Sequence, residues 1–412
     1  MTEAIVAVFL VVYLGMILGG LPFLQLDRTG IALLGAIALI GMEALTLEEA
    51  AQSIHLPTLI LLFSFMVVSA QMRLGGFYDL VTRRLAALPL GPAALLGALI
   101  AVVAALSAVF SNDIVCLAVA PVLIDACRQR RIEPLPYLLA LACAANIGSA
   151  ATLIGNPQNM LIGETLKLSF AGYFLEAIVP VLVGLALTWA LIAFASRGHF
   201  AGAPDAPAPE ATCGDAPSDV PSDLWQTTKG LVVAFGIVGC FVFTPWPREV
   251  VALTGAGLLL MSRKLHSRDM LGLIDWELLV LFMGLFIVNH ALQKTGLPAA
   301  VVADLAAAGV PLTELAPLAG VSFVLSNLVS NVPAVMLLLP SATHPLAGPT
   351  LALVSTLAGN LFIVGSIANI IVVDAAARRG ITISWRTHAR VGVPVTLATL
   401  AASAAWLAWR AA

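Results

Sequence analysis

The sequence predicts an all-α polytopic membrane protein, an inverted repeat of two five-span halves, each with a re-entrant hairpin and a broken helix. Three observations carry this prediction. Hydrophobic residues make up 60% of the 412 positions and charged residues 10%, more apolar surface than a soluble fold of that length could hide. One motif occurs twice, about 220 residues apart: SNDIVCLAVAP (Ser111 to Pro121) returns as SNVPAVMLLLP (Ser330 to Pro340), each with Ser-Asn first, an apolar run next and proline at the same offset. A second pair follows, because TLIGNPQNMLIGE (Thr152 to Glu164) aligns without gaps to FIVGSIANIIVVD (Phe362 to Asp374), keeping a glycine, an asparagine four residues later and a final carboxylate. Polar interruptions inside apolar segments, repeated in two halves, mark secondary transporters whose broken helices meet at mid-bilayer.

Apolar runs of spanning length fall near 4–24, 30–44, 56–72, 135–163 and 171–196, then near 226–244, 249–262, 276–293, 346–375 and 388–408. The first follows Glu3 rather than a basic segment and lacks a small-residue cleavage site, so it reads as a retained helix, not a signal peptide. Phe77 to Leu88 carries Asp79, Arg83 and Arg84 among apolar residues at helical spacing, the pattern of a helix in the interface plane. Between the third and fourth run of each half lies a further apolar stretch, Ala93 to Cys127 and Leu312 to Leu339, interrupted at its middle by Ser-Asn. Each reads as two crossings or as one re-entrant hairpin. The halves, 1–198 and 225–412, are joined by residues 199–224, rich in Pro, Ala and Asp without an aliphatic run, which predicts a disordered cytoplasmic tether. Trp225, Trp246, Trp276, Trp385, Trp406 and Trp409 fall at or near span ends, as an aromatic belt expects.

Charge selects the hairpins. With them, sixteen lysines and arginines, from Arg28 to Arg390, fall on one side, leaving Lys167, Arg248, Lys294 and Arg410 opposite. The positive-inside rule makes the rich side cytoplasmic and puts both termini outside, in a bacterial plasma membrane. Each half then has an odd number of spans, so the two Ser-Asn tips enter from opposite faces. Alternating access is commonly built on such an inverted repeat.

At the first tip one helix ends near Phe110 and another begins near Asp113, so carbonyls and amide groups converge where no lipid could satisfy them. Carbonyls with the Ser111 hydroxyl and the Asn112 side-chain oxygen suit a bare monovalent cation, and the helix N-terminus suits an anion or an oxygen-rich solute. Ser-Asn also caps the second helix, an ordinary structural use. Asp113 is the one carboxylate expected at the bilayer centre, which costs about 2.5–3.5 kcal/mol on insertion scales, and its repeat mate is the neutral Val332. Proton carriage or cation coordination explains it, as does a helix-dipole-stabilised acid. The second break, Gly155, Asn156, Pro157, Gln158 and Asn159, cannot be continuous helix, because proline removes an amide donor and disfavours helix at Asn156. Its mate, Gly365 to Asn369, lacks the proline. Side-chain amides and freed carbonyls there would complete two sites: sodium at Ser111, Asn112 and Asn156, and at Ser330, Asn331 and Ser366, with Thr152, Gly155, Pro157, Asn159, Gly365 and Asn369 in the lining. Asn146, Ser149, Gly359 and Asn360 extend it. Ser326-Asn327 offers a second register for the second tip. Glu164 and Asp374 match in the repeat but fall near span ends, where solvated acids are ordinary. His290 reads as a packing residue. Cys116 and Cys143 lack a third clustered thiol for a soft metalloid.

At these motifs the chain resembles the ion transporter superfamily: arsenite efflux permeases, NhaD-type sodium/proton antiporters, the P-protein group, citrate transporters and divalent-anion symporters. SNDIVCLAVAP looks like the Asn-Asp hairpin of the arsenite-permease side, SNVPAVM looks like its second-half partner, and NIGSAATLIGNPQN (Asn146 to Asn159) is similar to the family's first unwound helix. The dicarboxylate branch typically has Ser-Asn-Thr at both tips, whereas Asp113 and Val332 stand here. The resemblance implies a scaffold domain and a transport domain that move relative to each other, often in a homodimer, with coupling ions at the tip-plus-break sites.

The expected function is therefore ion-coupled transport, by sodium or protons and without a cofactor, of a small anion, oxyanion or metalloid acid. Alternatives are a sodium/proton antiporter and a sodium-coupled citrate or dicarboxylate symporter. An enzyme is not expected, since H-E-x-x-H and G-x-S-x-G are absent. With a net charge of −3 and no basic tract, the chain is not a nucleic-acid binder; its partners are the bilayer and a small solute. The five cysteines show no C-x-x-C spacing.

Overall fold

A computed structural model describes residues 1–20, 25–197 and 223–412, so the expected tether lies outside the described residues apart from Asp223 and Leu224. The first half runs α1 (Thr2–Leu18), α2 (Arg28–Gly41), α3 (Leu47–Ser53), α4 (Leu56–Leu74) and α5 (Phe77–Ala87). It continues with the hairpin α6 (Pro92–Val109) and α7 (Asn112–Gln129), the broken pair α8 (Leu135–Ser149) and α9 (Pro157–Thr165), and α10 (Phe170–Ala195). The second half repeats that order. It holds α11 (Leu224–Phe243), α12 (Arg248–Leu260), α13 (Ser267–Leu271), α14 (Trp276–Lys294) and α15 (Leu297–Ala307). The hairpin α16 (Leu315–Val329) and α17 (Asn331–Leu338), the broken pair α18 (Ala347–Ala358) and α19 (Ile367–Ala377), and α20 (Trp385–Ala411) complete it.

Six of these, α4, α6, α10, α11, α14 and α20, are long and apolar enough to cross a membrane. The run expected at 135–163 and its mate at 346–375 are not single helices: each stops at its polar break and restarts. The expected interfacial segment is the amphipathic α5, whose Tyr78 is buried edge-on against Phe110, 5.9 Å between ring centroids. Local chemistry sets the helix starts. Asp27, Ser169, Asp223, Asp275 and Ser384 each accept a backbone N–H of the first turn, and Thr46 and Glu49 close a reciprocal capping box on α3.

The halves interlock. α2 packs on α14 as α12 packs on α4, and α7 lies on α19 as α17 lies on α9. At the centre stand α8 and α18; every residue of α18 is buried, as is all of α8 after its first residue. Helices apolar all round belong there. Leu10, Leu14, Leu182, Val232 and Phe235 instead point outward, a face that lipid accepts without the cost water would impose. Among the described residues, the ion pairs between segments join residues that the charge pattern puts at one end of the bundle. Lys294–Glu49 (2.6 Å) and Arg410–Glu176 (2.5 Å) lie at the arginine-poor end, Lys264–Asp223 (3.1 Å) and Arg379–Asp125 (3.4 Å) at the arginine-rich end. Lys294 holds the Glu49 carboxyl below the usual carboxylate range.

Candidate functional site: two hairpin tips against two helix breaks

Ser111 is the N-cap residue of α7, and the Asn112 amide donates to the Gly155 carbonyl at 3.3 Å, so the first tip is pinned to the first break. Only glycine allows that approach. A Cβ on Gly155 would overlap the Ser149 carbonyl and lie 2.8 Å from the Ser107 oxygen. At the second tip Ser330 is the N-cap residue of α17, which selects the Ser330-Asn331 register and leaves Ser326-Asn327 in the last turns of α16. Ser330 has φ 76° and ψ 161°, a region nearly confined to glycine that costs about 1–3 kcal/mol. Ser111, at φ −56°, carries no such strain.

The breaks are closed by one device used twice. Asn159 Nδ2 donates to the Thr152 carbonyl at 3.0 Å and the Ser149 carbonyl at 3.5 Å; Asn369 Nδ2 donates to the Phe362 carbonyl at 3.1 Å and the Gly359 carbonyl at 2.8 Å. Both asparagines are fully buried, and their donors satisfy carbonyls freed by the break. Two side chains from opposite halves complete the arrangement. Thr356 Oγ1 accepts from Asn156 (3.1 Å) and Gln158 (3.2 Å) of the first break. Asn146, its repeat counterpart on α8, bonds with the second break: its Oδ1 accepts from Ser366 (2.9 Å), and its Nδ2 donates to Asn360 (2.8 Å) and Asn369 (3.1 Å). The same Oδ1 also accepts from Asn112 Nδ2 at 3.0 Å, so Asn146 uses its whole hydrogen-bonding capacity.

Among the described residues the polar atoms left without a partner here are the Asn360 Nδ2 and a set of oxygens at the two tips. Around the first tip Asn112 Oδ1 and Ser107 Oγ are buried without a partner, and around the second Asn331 Oδ1, Asn327 Oδ1 and Ser326 Oγ are. Uncompensated buried acceptors clustered at two equivalent tips offer ligands of the kind a dehydrated monovalent cation takes. Ser107 escaped the sequence reading, and Ser326 entered it only as part of the alternative register. Their signal was a serine four residues before each tip, in SAVFSN and SNLVSN. The Asn156 side chain, expected among the ligands of the first site, is committed elsewhere: its oxygen caps the Asn159 amide at 2.9 Å and its nitrogen bonds Ser149 and Thr356.

Asp113 projects from the first turn of α7 into a cavity of about 260 Å³. Ser111, Pro157, Ile367 and Ile371 line one wall, and Phe65, Met66, Ser69 and Arg73 of α4 face them, with Asp275 at the start of α14. Arg73, Ser69 and Asp275 were not in the expected lining; they belong to segments with no polar break to flag them. The Glu164 expectation needs correction. Glu164 is 3% exposed, not solvated, and pairs with Arg248 Nε at 2.8 Å, whereas Asp374 is exposed as expected.

Residues 11–358 match the model of the family described as "Citrate transporter". The chain belongs to that family. It is a multi-pass membrane transporter and not an enzyme. It is 30% identical to the silicon efflux transporter LSI3 of Oryza sativa subsp. japonica, over 92% of each chain. It is also 30% identical to the 46 kDa membrane protein of Mycobacterium leprae, over 93% of this transporter and 94% of the relative. Over 41% of this chain and 30% of the other it is 30% identical to the putative transporter arsB of Dictyostelium discoideum. Its fold is similar to that of the Alcanivorax borkumensis YdaH transporter, with a TM-score of 0.57 at 15% identity, covering 100% of this chain and 98% of that one.

Proposed function

We propose that this transporter moves a small oxyacid, uncharged or singly charged, across a bacterial plasma membrane by alternating access, coupled to sodium or protons. The cavity beside the first tip carries this reading. It joins the Asp113 carboxylate and a helix start to a path ending at Arg73 and Asp275, and 260 Å³ accommodates a small solute. Its formal charges are two carboxylates against one guanidinium, so a trianion such as citrate would meet net repulsion with few counter-charges. A metalloid acid, or a monoanion whose charge is offset by cations at the tips, suits the lining. The naming of the rice relative as a silicon efflux transporter supports the same class.

A second reading has its own support. Asp113 has no ion-pair partner among the described residues, which suits a carboxylate that exchanges sodium for a proton. Flux into proteoliposomes separates the two. Silicate, arsenite, phosphate and citrate are offered under imposed sodium or proton gradients; gradient-driven uptake of silicate or arsenite, with citrate excluded, is expected. Proton movement driven by sodium with no solute flux would replace the oxyacid reading by antiport.

A further inference from the structure

Arg28 and Arg248 are the first residues of α2 and α12, and Glu164 and Asp374 are aligned residues near the ends of α9 and α19. The duplication thus makes Arg28 with Asp374 the counterpart of Arg248 with Glu164. Only one pair is made. Glu164 and Arg248 are in contact at 2.8 Å with side chains 4% and 15% exposed, and Arg248 also donates to the Gly163 carbonyl at 3.0 Å. Among the described residues the Asp374 side chain, 56% exposed, pairs only with Arg378 just past the end of α19, while Arg28 makes no ion pair and its Nε is buried without a partner.

The unmade pair sits on elements beside or lining the cavity. Thr29 Oγ1 donates to the Glu277 carbonyl at 3.3 Å, which sets the start of α2 beside the start of α14, where Asp275 lines the cavity. Ile371, one turn before Asp374, lines the opposite wall. At the other end α4 packs on α9, whereas the equivalent α14 and α19 share no comparable contact. The ion pair is made at the end where α4 meets α9 and unmade at the end where α14 and α19 stay apart.

We propose that these four residues form two alternating gates: Glu164–Arg248 seals the arginine-poor face in this conformation, and Arg28–Asp374 seals the arginine-rich face in the opposite one. The inference rests on the alternating-access reading above. Rocking the hairpins and broken helices against α2, α4, α12 and α14 separates Glu164 from Arg248 and carries Asp374 to Arg28. Each state then leaves one charged group poorly compensated and satisfies the other, so neither conformation is a trap. The exposed Asp374–Arg378 pair is weak enough to be exchanged.

Crosslinking tests this in the full chain with its five native cysteines replaced. Glu164→Cys with Arg248→Cys, and separately Arg28→Cys with Asp374→Cys, are oxidised in proteoliposomes while solute exchange is followed. Both pairs are expected to form disulfides, each abolishing exchange until reduced. A chain that exchanges solute normally but never crosslinks at Arg28→Cys/Asp374→Cys overturns the gate and leaves the transporter reading standing; absence of exchange in the cysteine-free parent removes the reading itself. If the cysteine pair fails to insert, charge exchange decides: Arg28→Asp alone should lose exchange and Arg28→Asp/Asp374→Arg should regain it, and no recovery counts against the gate.

Discussion

Asp113 lines the cavity while its repeat mate Val332 cannot titrate, so the two tips are built alike and charged differently. Replacing the charge with little change of shape isolates its contribution. Asp113→Asn is expected to fold and insert, to lose accumulation driven by a sodium or pH gradient, and to keep most solute exchange down its own gradient. Wild-type accumulation with an unchanged pH profile would leave Asp113 a helix start stabilised by its dipole. Ser330 presents the reverse case, a neutral residue under backbone strain. With φ at 76°, Ser330→Gly should stabilise the protein by about 1 kcal/mol, the strain relieved less the extra freedom of an unfolded glycine. A higher unfolding midpoint with weaker cation affinity is the expected pair of results; Ser330→Ala, which keeps the strain, should not raise the midpoint.

At the scale of elements, each break is a short interruption of the α-helix held by one asparagine, the second with a 3-10 turn at Ile363–Gly365, and that role separates Asn159 and Asn369 from Asn112. Asn159→Leu leaves the buried Ser149 and Thr152 carbonyls without this donor, and Asn369→Leu does the same to the Gly359 carbonyl while Phe362 keeps the Gly365 amide. At about 1–3 kcal/mol for each orphaned group, both should lower thermal stability before any effect on transport is measurable, Asn159→Leu by more. Asn112→Ala should do the opposite, weakening apparent affinity for the coupling ion with stability near wild type; a loss explained wholly by unfolding would reduce the tip to a cap, worth about 1 kcal/mol. The hairpins and breaks were legible in sequence because a polar residue inside an apolar run has few structural excuses, and duplication doubled the signal. Other features were not legible. Arg73 and Asp275 sit at ordinary helix ends, and only packing turns those ends toward Asp113. Tyr173 and His388 occupy matched places, four residues after their caps, bonding the Ala150 and Asn360 carbonyls at 2.7 and 3.1 Å. Since tyrosine and histidine share no letter pattern, their equivalence emerges only from the fold.

For the whole molecule, the two halves interlock beyond their own hairpin and broken-helix packing, α2 against α14 and α12 against α4. By the positive-inside rule, we propose from the charge pattern that the segment between the halves is cytoplasmic. Cys213 as the sole cysteine should therefore resist an impermeant maleimide on intact cells and react after lysis; labelling from outside would reverse the topology. Asn146 binds the two halves more closely still. Its Oδ1 is shared by Asn112 at the first tip and Ser366 at the second break. On the proposal that each tip holds a cation, one that draws either donor away would alter what the other finds, so the two affinities would be linked, with the coupling equal in both directions. Equilibrium sodium binding, followed by calorimetry, should accordingly show interacting sites in the native protein and two non-interacting sites in Asn146→Leu; non-interacting sites in the native protein would remove the link.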